Sequence, residues 1–193
     1  MTKCILIISA LLITAGTAGA QAKKFDTTVA LDKIGYRVQC SNKNDDDNFV
    51  TIVPVGFKID QRNVDFNIKG KVTKAAIDDL NEDGYLDLAI FIYSGPNNDI
   101  GTVIGISSVT NKSLVPIFLP DIYTDPKIRD GYKGHDEFSL MVGSLMRKFP
   151  LYLPNDAPDK PTGGKRTIQY KVMSEQGRLM FKVQRMFDTK PDA

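Results

Sequence analysis

The chain has 193 residues, 42% of them hydrophobic, with 25 basic against 23 acidic residues. That length and apolar content suffice for one domain with a buried core. The near-balance of charge argues against nucleic acid as a partner, which would need a concentrated basic surface, and gives no global field to steer a charged partner.

The first twenty residues read as a secretory leader. Lys3 gives a positive start, Cys4 to Ala15 an apolar run, and Ala18-Gly19-Ala20 a small-residue cleavage site before Gln21. The apolar run is too short to span a bilayer, and Cys4 lies too far upstream for lipid attachment at the cleavage site. The expectation is a periplasmic or secreted chain of residues 21–193, free of the membrane once cleaved. Removing Lys3 leaves 24 basic against 23 acidic residues, and Cys40 as the one cysteine. A single cysteine cannot form an internal disulfide. Cys40 reads as a small apolar residue at a strand end, with an intermolecular bridge as the alternative.

The mature chain reads as β almost throughout, with an ordered core over about 25–187. Phe25 to Leu31 and Ile34 to Cys40 are short runs split by Asp32-Lys33, and Ser41 to Asn48 is an acidic loop. Phe49 to Val55, Val64 to Ile68 and Lys71 to Ile77 follow as strands. Tyr85 to Tyr93 alternates Leu86, Leu88, Ile90 and Ile92 with Asp87, Ala89, Phe91 and Tyr93, the pattern of a central strand covered on both faces. Thr102 to Ser107 and Leu114 to Leu119 continue the series. Pro120 to Gly134 is a long connection with room for a helical turn. Phe138 to Met146 and Phe149 to Tyr152 are strands, and Pro154 to Gly164 is a second long loop. The chain ends in a hairpin with Glu175-Gln176-Gly177 as its turn. The expected fold is all-β, one antiparallel β-sandwich or flattened barrel of about eight or more strands.

Asp79, Asn81, Asp83, Tyr85 and Asp87 stand at positions 1, 3, 5, 7 and 9 of a loop, with Gly84 at position 6. That is the spacing of a calcium loop. Position 12 is Ile90, so the bidentate glutamate of an EF-hand is missing. A bound calcium and a plain acidic turn are both open, and no cofactor is required. His135, the only histidine, sits at a loop-to-strand junction and reads as structural. Pro161 to Arg166 is not a phosphate loop, because Asp159 replaces its first glycine and Arg166 its Ser or Thr. No Gly-x-Ser-x-Gly marks a nucleophile, and no enzymatic activity is expected.

The run Asp79 to Gly101, the block GHDEFSLMVGSLMRKFPLY (Gly134 to Tyr152) and the block PTGGKRTIQYKV (Pro161 to Val172) resemble the periplasmic inhibitors of invertebrate-type lysozyme. The resemblance extends over about Phe25 to Arg185. It implies a β-sandwich-like fold, export to the periplasm, commonly a homodimer, and a lysozyme as protein partner. It also implies a mechanism in which a rigid loop plugs the enzyme's substrate cleft. The loop corresponds to Ser94, Gly95, Pro96, Asn97, Asn98, Asp99, Ile100 and Gly101. Asn97 stands where the family has a serine, and Ile100 where it has a tyrosine. The two asparagine amides can donate hydrogen bonds, whereas Asp99 would be repelled by an acidic cleft. The alternative is a calcium-stabilised exported binding module with no lysozyme target.

Overall fold

The computed structural model describes residues 23–58 and 62–190. The leader predicted over residues 1–20 lies outside the described residues. Twelve strands and almost no helix among the described residues confirm the all-β expectation. β1 (Phe25–Leu31), β2 (Ile34–Cys40), β3 (Asn48–Val55) and β4 (Val64–Ile68) form a four-stranded antiparallel meander. The other eight are β5 (Lys71–Asp78), β6 (Asp87–Ser94), β7 (Ile100–Val109), β8 (Ser113–Phe118), β9 (Glu137–Leu140), β10 (Leu145–Pro150), β11 (Lys165–Glu175) and β12 (Arg178–Thr189). They build one sheet in the order β5-β6-β7-β8-β12-β11-β10-β9, nearly closed into a barrel. A 3₁₀ turn (Ile122–Thr124) and one helical turn, α1 (Pro126–Arg129), occupy the predicted long connection.

Two cores result. Leu88, Ile90 and Ile92 of β6 pack against Tyr36, Val38, Val50 and Ile52 of the smaller sheet. Ala89 and Phe91, on the other face of β6, join Leu145, Phe149, Ile168 and Phe181 inside the curl of the larger sheet. β6 is thus the central strand its alternation predicts, apolar on both faces because both are covered. Cys40 lies buried in the core between the sheets.

Two details differ from the sequence reading. The stretch Phe138 to Met146 is not one strand: Val142 and Gly143 adopt positive φ, and Met141 N–H donates to the Ser144 carbonyl at 2.9 Å. The chain therefore reverses between β9 and β10, and the strand expected over Phe149 to Tyr152 is the end of β10, with Leu151 and Tyr152 beyond it. The larger sheet is also not wholly antiparallel, because β8 meets β12 in parallel through Leu179↔Ile117 and Met180↔Phe118.

Candidate functional site

β6 runs from the acidic turn at its start to the hairpin at its end, so one strand carries both features singled out by the sequence. The last pairs of β6 with β7 are Tyr93↔Gly101 and Ser94↔Ile100. The turn closes through Asn98 N–H, which donates to the Gly95 carbonyl at 3.0 Å. Gly95 (φ +85°) and Asn98 (φ +52°) take the left-handed positions, the region that glycine and asparagine tolerate best. The Ser94 hydroxyl donates to the Ile100 carbonyl at 3.3 Å. Ile100 folds back over Gly95, where a Cβ would lie 3.1 Å from its Cδ1. The half-buried Ile100 therefore braces the hairpin, and the exposed residues are Pro96, Asn97 and Asn98.

The second arm of the hairpin is gripped by a buried ionic cluster. The Asp136 N–H donates to the Asp99 carbonyl at 3.0 Å. Asp136 Oδ2 accepts from Gly101 N–H at 2.7 Å and from the Tyr132 hydroxyl at 2.5 Å. Arg147 forks onto the same carboxylate, Nε to Oδ1 at 2.6 Å and Nη2 to Oδ2 at 3.0 Å. Its Nη2 also donates to the Gly101 carbonyl at 3.3 Å. The Arg147 and Asp136 side chains are only 2% and 0% exposed. The guanidinium lies 5.2, 5.3 and 5.7 Å from the ring centres of Tyr132, Phe138 and Phe149. Burial, and then the Asp136 charge, push the Tyr132 phenol well above its ordinary range, so it stays a donor. Gly101 must be a glycine, because a Cβ would meet Phe138 Cε2 at 2.5 Å and Asp136 Cβ at 2.8 Å.

Asp99 does not face outward. Its side chain is 17% exposed, with Oδ2 3.3 Å from His135 Nδ1. The His135 ring stacks on Tyr152 at 6.2 Å, and Lys133 Nζ sits 4.7 Å above the same Tyr152 ring. The carboxylate is turned in toward His135, which leaves Pro96 and the neutral amides of Asn97 and Asn98 at the exposed tip.

The acidic turn satisfies itself with backbone donors. Asp79 accepts from Asp83 N–H at 3.0 Å and from Gly84 N–H at 2.8 Å. Asp83 accepts from Tyr85 N–H at 2.9 Å and from the Asn81 amide at 2.9 Å. Asp87 is fully buried and accepts from Leu80, Asn81 and Ser108 N–H at 3.0, 3.3 and 2.8 Å. Burial pushes its carboxyl up to about 6 against the pull of those three donors. Among the described residues, no group of three or more His, Cys, Asp or Glu side chains could hold a metal ion.

Asp136, Arg147 and Tyr132 escaped the sequence reading. One signal for them was present. Arg147 falls between Leu145 and Phe149 on the inward face of β10, and a cation at a core position needs a carboxylate beside it. No protein-family model matches the chain, and no curated protein or solved structure matches it either.

Proposed function

We propose that the chain is an exported inhibitor of a lysozyme, in which the hairpin Ser94 to Gly101 enters the substrate cleft and does no chemistry there. The observation that carries this reading is the contrast within the hairpin: an exposed tip of Pro96, Asn97 and Asn98 on arms braced by Ile100 and Asp136. A plug of this kind loses little conformational entropy on binding. The tip offers two side-chain amides, which are donors able to face the paired carboxylates of a glycosidase cleft. With Asp99 turned toward His135, the tip brings no carboxylate into that cleft. The resemblance over the flanking blocks gives the target class, and with it a periplasmic location after leader removal and a homodimer.

The test is a titration of purified residues 21–193 against invertebrate-type, chicken-type and goose-type lysozymes. We expect stoichiometric inhibition of the invertebrate type at micromolar concentration or below. Inhibition of none of the three would leave the chain as an exported binding module with another partner.

A further inference from the structure

We propose that Asp136 is the positioning residue of this hairpin: with Arg147 it stands in for a missing strand and fixes the tip from outside the loop. The proposal rests on the inhibitory reading for its consequence, though its geometry is independent of it. β8 pairs with β7 from Ile104 to Val109 and does not reach Gly101. The β7 edge near the hairpin would therefore present unpaired backbone groups, and a buried peptide group without a partner is costly. Side chains fill the gap. Gly101 N–H donates to Asp136 Oδ2 at 2.7 Å, and the Gly101 carbonyl accepts from Arg147 Nη2 at 3.3 Å. The two members of one ion pair thus make the contacts that a neighbouring strand would supply, Asp136 as the acceptor and Arg147 as the donor. Two residues earlier, the Asp99 carbonyl accepts from the Asp136 N–H at 3.0 Å. The second arm is held at two points by a single residue.

The chain around Asp136 is shaped for this task. Gly134 (φ +95°) and His135 (φ +61°) are consecutive left-handed residues that turn Asp136 inward. The Tyr132 hydroxyl and the Arg147 fork occupy the carboxylate's remaining acceptor positions. A carboxylate held this way cannot rotate without breaking several charge-assisted bonds at once. Loosening the cluster should therefore free the hairpin before it unfolds the sheets, and weaken binding by adding an ordering cost at the moment of contact.

The experiment compares Tyr132→Phe, Asp136→Asn and the tip variant Asn97→Ala by amide hydrogen exchange and by titration against invertebrate-type lysozyme. Tyr132→Phe removes one hydroxyl and keeps the ion pair, so it stays folded even where Asp136→Asn, which leaves Arg147 unpaired, does not. For Tyr132→Phe we expect exchange at the Gly101 and Asp136 amides to rise about tenfold, while Ile52 in the smaller sheet is unchanged. Its inhibition should weaken by about the same factor through faster dissociation. Asn97→Ala should lose inhibition with exchange at Gly101 unaltered. Unchanged exchange at Gly101 in Tyr132→Phe, or a rise shared equally by Ile52, would overturn the proposal. A wild-type protein that inhibits no lysozyme would remove the functional reading, and the exchange result would still decide whether Asp136 positions the hairpin.

Discussion

Asp87 illustrates how burial and hydrogen bonding compete at a single carboxyl. Three backbone N–H groups favour its charged form, yet enclosure between β6 and the acidic turn raises its pKa from 3.8 to about 6. The folded chain then binds this proton more tightly than the unfolded chain does. Stability from this group is fully present below about 4 and is lost as pH rises through about 6. Asp87→Asn removes the titration and keeps the size. Urea unfolding at pH 4 and pH 7 should show wild-type stability falling relative to Asp87→Asn by about 2–3 kcal/mol over that range. A constant difference between the two proteins would mean that the backbone donors win. Cys40 poses a simpler case: it is 2% exposed, so its thiol should react with a thiol-specific reagent only as the chain unfolds, on the timescale of global unfolding.

At the scale of the element, β6 was legible in the sequence because its alternation is apolar on both faces, and only a central strand tolerates that. The terminal hairpin was legible from Gln176-Gly177, which take positive φ between β11 and β12. The β9–β10 reversal was not, because Phe138 to Met146 is apolar enough to read as one strand and Val142 is an unusual residue for φ +36°. The hairpin's boundaries were legible, and its internal roles were not. Asp99 and Ile100 serve the scaffold, and that follows from contacts with His135 and Gly95 that no local pattern encodes. The acidic turn has the spacing of a calcium loop, but its carboxylates already accept from backbone N–H groups. We therefore expect the melting temperature to be the same in calcium and in chelator. A rise of several degrees with calcium, abolished in Asp83→Ala, would assign the ion a role in the turn.

Across the whole molecule, the smaller sheet covers β5, β6 and β7 and leaves the remaining strands to curl around their own core. The all-β class followed from many short strands with Gly, Asn, Asp and Pro punctuation. The parallel contact of β8 with β12 did not, because it joins strands far apart in the chain through only two residue pairs. β6 belongs to both cores, so truncating Phe91 or Ile90 to Ala should destabilise the entire chain by about 3–5 kcal/mol in a single unfolding transition. The same double covering anchors the base of β6 in two cores, which is what the proposed plug at its far end requires. The most direct test of that role is the affinity of residues 21–193 for an invertebrate-type lysozyme, measured calorimetrically with the enzyme's cleft empty and then filled by a saccharide oligomer. Occupancy of the cleft should weaken binding in proportion to saccharide saturation; an affinity indifferent to the saccharide would contradict the plug.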